Sequence, residues 1–257
     1  MTSSPPASAS TNPNAKLVRS ADGMRIFAEA TGSPANPHVV LVPGVGFSGC
    51  VFDDFCADER LLAALYIVRV DPRGCGRSDL ALTDEMHESK RYAEDFDAVV
   101  KAFDLRHPVL VGWSYGGTWL TDIAGHLPPF TISGCMLLMG LPYAQELLAQ
   151  VGTPALLGVI PGLLSSDAAA QRALVDLMFL EPAAPRAHVR EAPGVLRAPH
   201  GRGTHPLPRG ARAAARGAVG GRARGPAAVF YVWDAGWASE GGCRAGAVGG
   251  SIIGIWR

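Results

Sequence analysis

Between Lys16 and Met139 short apolar runs alternate with stretches of mixed polarity. The apolar runs are Met24–Ala30, His38–Val42, Tyr66–Val70, Pro108–Gly112 and Ile132–Met139. Several are apolar almost throughout, as strands covered on both faces are. Between them Arg60–Leu65, Tyr92–Phe103 and Tyr115–His126 carry the mixed pattern of helices. Strand–helix alternation of this kind predicts an α/β fold, a mostly parallel central sheet flanked by helices.

Three further zones surround this core, which is expected over 16–139. The first fifteen residues, MTSSPPASASTNPNA, are Ser-, Pro- and Ala-rich and read as a disordered tail. They have neither the charged n-region nor the apolar centre of a secretory signal, and no membrane span is expected. Residues 140–192 are Leu-, Ala- and Pro-rich with few charges, which suits a helical lid, with Gln171–Leu180 as one helix. Apolar helices over the carboxyl edge of a sheet would line an acyl- or aryl-accepting pocket, although plain core packing would use the same residues.

From Pro193 the composition changes. Up to Arg257 only Asp234 and Glu240 are acidic, lysine is absent, and Gly, Ala, Arg and Pro dominate. RGARAAARGAVGGRARGPAA has neither a strand nor a helix period. The 193–257 stretch therefore reads as low-complexity, either disordered or translated out of frame, and the closing strands of the sheet are expected to be missing or disordered. An Arg-Gly tail that binds nucleic acid would interleave aromatics, and Arg202–Arg224 has none.

Charge adds little: 23 basic residues balance 23 acidic ones, which gives no general attraction to nucleic acid or acidic membranes. The five cysteines, 50, 56, 75, 135 and 243, are an odd set without close pairing, as in reduced proteins of a cytoplasmic compartment.

The chemistry concentrates in three motifs. Gly112-Trp-Ser-Tyr-Gly-Gly117 stands directly after an apolar strand and directly before a helix, the setting of a nucleophile elbow with Ser114 at its tip. Val42-Pro-Gly-Val-Gly46 follows an earlier strand, and Asp71-Pro-Arg-Gly-Cys-Gly-Arg-Ser-Asp79 follows the next.

In this order and spacing the motifs resemble the α/β-hydrolase family, over about residues 20 to 190. The likeness is to its serine-using branch of esterases and proline iminopeptidases. The resemblance implies a serine hydrolase acting on a small-molecule ester or related acyl bond, with Ser114 as nucleophile. It implies oxyanion-hole donors at the backbone N–H groups of Tyr115 and Val45. Pro43 departs from the His-Gly usual in that loop. The Asp71 block is structural in such relatives, so Asp71 and Arg73 are not catalytic candidates. No cofactor and no metal are implied. A serine at the elbow, in place of a carboxylate, also argues against epoxide-hydrolase or dehalogenase chemistry.

The triad is the difficulty. Serine needs a base, the base needs an orienting carboxylate, and in this fold the order along the chain is Ser, acid, His. After Ser114 stand His126, expected to be structural, His188 in the lid region, and His200 and His205 in the biased tail. Asp234 follows an apolar run, Val229–Trp233, like the expected acid, but no histidine follows it. The acid and histidine are therefore unassigned, and impaired turnover is expected. A shift of reading frame near 191–193 accounts for this. One nucleotide later, Trp233 followed by Asp234 forces glycine, and the next positions permit Thr, Arg and Asp before a second forced glycine. That restores a Gly-x-x-Asp segment after a strand. The alternative reading is a non-catalytic binding protein on a hydrolase scaffold.

Overall fold

The computed structural model describes residues 13–142, 148, 150–164 and 167–178 and the strands 230–234, 243–248 and 251–256. Nine strands form one sheet: β1 (Ala15–Arg19), β2 (Arg25–Gly32), β3 (His38–Val42), β4 (Tyr66–Val70), β5 (Val109–Trp113), β6 (Gly134–Leu138), β7 (Phe230–Asp234), β8 (Cys243–Val248) and β9 (Ser251–Trp256). Their order is β1-β2-β4-β3-β5-β6-β7-β9-β8. The central four, β4-β3-β5-β6, are parallel, and β1 and β2 extend them as an antiparallel pair. The α/β architecture expected from the alternation is the one found.

Both faces are covered, which is why the strands could be apolar on successive residues. On one face α3 (Ser89–Ala102) and α4 (Trp119–His126) set Tyr92, Phe96, Val99, Trp119 and Ile123 against Val40, Val68, Leu110 and Leu137. On the other, α1 (Asp53–Ala57) and α2 (Glu59–Ala64) set Cys56, Leu61 and Leu62 against Val39, Leu41, Ile67 and Val111. Two more helices, α5 (Pro154–Leu164) and α6 (Ala168–Met178), carry Leu156, Val159, Leu163, Leu174, Val175 and Met178 onto the loop after β3. The helix expected at 171–180 is found over 171–178 as part of α6, with 179–180 outside the described residues, whereas α1, α5 and β1 had no expected counterpart. β1 escapes notice because only Val18 of its five residues is buried.

Beyond β6 the sheet continues through β7, which runs antiparallel to β6 with Gly134 opposite Asp234. It continues through β9, parallel to β7, and β8, antiparallel to β9. The remainder of 193–257, expected to be low-complexity, lies outside the described residues.

One ion pair ties the loop after β4 to helix α3. Arg73 is fully buried and donates from Nε and Nη2 to both carboxylate oxygens of Asp95, at 2.7 and 2.6 Å. It also donates to Asp22 at 3.0 Å and to the carbonyls of Met86 and Arg91. Burial pushes the Asp95 carboxyl up, against the pull of Arg73. Two charges without water are costly, so each needs the other. Asp95→Leu alone is expected to cost about 3–5 kcal/mol in urea unfolding, because Arg73 keeps its buried charge. Adding Arg73→Met should return a large part of that loss; a double variant as unstable as the sum of its singles would contradict the pairing.

Candidate functional site

Strand β5 ends at Trp113, and the chain turns at once into a 3₁₀ turn, Ser114–Thr118, that feeds α4. The sequence pattern suggests one helix, 115–126, where the structure has these two pieces. The tighter first turn is what swings the chain away from the sheet. At the corner Ser114 has φ +50°, a left-handed backbone that costs a residue with a side chain roughly 1–3 kcal/mol. It persists because both flanks are pinned. The Trp113 side pairs with Leu138 in the β5–β6 ladder. On the other side Gly116 lies beneath the Val42 and Pro43 carbonyls: a Cβ there would stand 2.6 Å from the Pro43 oxygen and closer still to that of Val42. The Ser114 carbonyl accepts from the Leu141 N–H at 2.9 Å. Ser114 is left half-buried, at the carboxyl end of the parallel strands.

The loop after β3 reaches the same place. Its Gly44 lies so near that a Cβ would stand 3.4 Å from the Ser114 Cβ. Phe47 N–H donates to the Gly44 carbonyl at 3.1 Å, closing a turn with Gly46 at φ +76° in its third position. Glycine is required there, as in a type II turn. The turn's own hydrogen bond does not use the Val45 N–H. Pro43 therefore costs this loop no hydrogen bond of the turn.

The Asp71 block holds the loop from beneath. Asp71 is buried, and its carboxylate accepts from the Gly49 N–H at 2.8 Å and from the Arg77 N–H and Nε at 2.9 and 3.0 Å. The Gly46 N–H donates to the Cys75 sulfur, and burial pushes that thiol up to about 12. The Ser78 hydroxyl donates to the Asp71 carbonyl at 2.5 Å and accepts from Phe27 N–H at 2.9 Å. Every one of these groups is occupied by backbone or by a neighbouring ion, which is how a structural block behaves.

Above the site, Phe47 and Trp113 pack with ring centroids 5.2 Å apart. Val45, Cys50 and Val51 join them against Leu163, Leu174 and Met178 of the two helices. This cluster beneath the two helices is built of apolar side chains.

The described residues place no histidine beside Ser114. His38 opens β3 and His107 precedes β5, both at the amino edge of the parallel strands; they bond to the Arg106 N–H and the Phe130 carbonyl. His87 is buried with its ring nitrogens on the Tyr92 hydroxyl and the Ala81 carbonyl. His126 closes α4, about 10 Å along the helix from Trp119. His188, His200 and His205 lie outside the described residues. Asp234 stands opposite Gly134, which itself pairs with Val109. That is five residues, about 16 Å, from Ser114 along the strand direction, at the wrong edge for a triad acid. Among the described residues there is also no cluster of His, Cys, Asp or Glu that could hold a metal ion. No helix there is long and apolar enough to cross a membrane.

Comparison with known proteins accords with this geometry. Over 108 residues the chain is 38% identical to a Mycobacterium tuberculosis protein named "Probable oxidoreductase EphD", covering 40% of this chain and 18% of that protein. Over 129 residues it is 31% identical to a non-heme chloroperoxidase from Streptomyces lividans, covering 49% and 44% of the two chains. The chain thus spans less than a fifth of the first and less than half of the second. Among solved structures, the esterase RhEst1 from Rhodococcus sp. superposes with a TM-score of 0.53 at 28% identity, over 64% of this chain and 60% of that one. The family model for the alpha/beta hydrolase family matches residues 39–248, four-fifths of the sequence. The chain belongs to the alpha/beta hydrolase family.

Proposed function

We propose that the chain is built as a serine hydrolase for an ester or related acyl bond on a small, apolar molecule, with its turnover impaired. The observation that carries the reading is the left-handed Ser114, held at a strand–turn–helix corner against the loop of Val45. The esterase likeness of the fold supports the acyl substrate.

In this reading the Ser114 Oγ attacks the substrate carbonyl carbon, and the carbonyl oxygen takes the electron pair. The N–H groups of Val45 and Tyr115 hold that oxyanion; one such donor is worth about 3–4 kcal/mol in measured cases. The compartment beneath α5 and α6 takes the apolar group, and these helices, within 140–192, act as the lid. Collapse of the intermediate expels the alcohol, and water then frees the acid from the serine ester.

Both steps need a base to take a proton and an acid to return it. No described histidine occupies that place, so the proton of Ser114 passes to water and the acylation is slow. We attribute the missing pair to a change of reading frame near 191–193. The corrected continuation would supply a Gly-x-x-Asp and a later Gly-His. Such an enzyme needs no metal or cofactor, and its partners are its small substrates. A cytoplasmic place suits its reduced cysteines.

With 4-nitrophenyl butyrate, residual catalysis of about 10³–10⁴-fold over water is the most that an oxyanion hole and binding provide. Robust, saturable hydrolysis that vanishes in Ser114→Ala would overturn the impairment. A fluorophosphonate at long incubation should add one mass equivalent to the chain and none to Ser114→Ala. Equal labelling of both chains would contradict Ser114 as nucleophile. Gly116→Ala should lose the labelling by about 10²-fold or more, since the added methyl must push the Val42 and Pro43 carbonyls away. Labelling at the unaltered rate would show that the corner is not needed.

A further inference from the structure

The two central strands that end at the site both break into left-handed backbone. Trp113 of β5 and Leu138 of β6 are paired, so the next residue on each, Ser114 and Met139, are neighbours on adjacent strand ends about 5 Å apart. Ser114 has φ +50° and Met139 has φ +46°. For a residue with a long side chain this conformation is rare.

Strand alternation gives the meaning of the turn. Cys135 and Leu137 point into the core beneath α3 and α4, whereas Met136 and Leu138 pack against the opposite core. An extended residue 139 would point, like Leu137, under α4. The left-handed turn diverts it, and Met139 is left 69% exposed, more than Leu80 at 59% or Phe130 at 56%. The two residues after it are closed in. A Cβ on Gly140 would stand 2.9 Å from the Gly112 carbonyl oxygen, and Leu141 N–H is bonded to Ser114. The chain after β6 therefore serves as the floor of the elbow, and among its described residues 139–142 the exposed side chain is that of Met139. Polar or small residues relieve such a backbone more readily.

We propose that Met139 is a specificity-determining contact: a movable apolar wall beside Ser114 that closes on the uncharged alkyl or aryl part of the substrate. It complements the compartment of Phe47, Trp113 and Met178 from the β6 side. Methionine suits this task because its unbranched thioether adapts to differently shaped partners. The assignment rests on the reading of Ser114 as the reacting centre, but its test does not need turnover.

Methyl-¹³C-methionine spectra of the full chain, with Met139 assigned by Met139→Leu, are recorded while butyl phenyl ketone is added. This uncharged ketone has the outline of an aryl ester and cannot be hydrolysed. The Met139 methyl is expected to shift saturably, together with Met178. Met139→Gly should weaken the ketone about 4- to 15-fold, the range for withdrawing one or two methylenes of contact, without lowering the thermal midpoint. Shifts at Met178 alone, with unaltered affinity in Met139→Gly, would overturn the assignment; so would a ketone that moves neither methyl. A Met139 shift in a chain whose Ser114 resists fluorophosphonate would leave the contact standing and remove the serine chemistry.

Discussion

A single forced corner organises the carboxyl edge of this sheet. Ser114 holds a backbone that its own chemistry disfavours, because three neighbours leave it no alternative. Trp113 is fixed in the ladder, Gly116 lies beneath the Val42 and Pro43 carbonyls at the end of β3, and Leu141 bonds back to the serine carbonyl. Each restraint comes from a different strand end, so the corner exists only when β3, β5 and β6 are in register. In turn the corner decides where the loop after β3 can go and which way α4 departs. The buried ions serve the same geometry from below: Asp71 anchors the β3 loop through Gly49, and the Arg73–Asp95 pair holds the block that carries Asp71.

Much of this was legible in the residues. Runs such as Val39–Val42 and Tyr66–Val68 are apolar at successive positions, as strands buried on both faces are, so the parallel centre could be read from them together with the helices between. The elbow was legible because its glycines have no alternative: a Cβ at 112 or 116 would strike backbone. Strand β1 was not, since four of its five side chains are not buried and their pattern resembles a loop. Nor was α5, whose Pro161 and two glycines read as helix breakers; its apolar neighbours hold it against the β3 loop all the same. The strained Met139 had no sequence signal at all, because methionine gives no hint of a positive φ.

The acid–histidine half of the site is illegible for a different reason. Asp234 follows an apolar run as the expected acid would, yet its strand enters the sheet antiparallel to β6 and delivers it to the amino edge. Direction within a sheet depends on what the connection before the strand does, and local pattern contains no record of it. The described histidines are likewise placed for other duties: His38 and His107 close loops at the amino edge, and His87 bridges a hydroxyl and a carbonyl. The described residues thus present the Ser114 corner, the β3 loop against it and an apolar cover, and none of the described histidines is placed at the corner.

The direct test of this account is the nucleotide sequence of the transcript across codons 185 to 240. The account predicts one inserted or missing nucleotide near codon 193. In the corrected frame a Gly-x-x-Asp should then replace Trp233–Gly236, with a Gly-His further on. An uninterrupted frame that encodes the Arg-, Gly- and Ala-rich residues as they stand would contradict it, and the chain would then be a divergent or non-catalytic relative of the hydrolases.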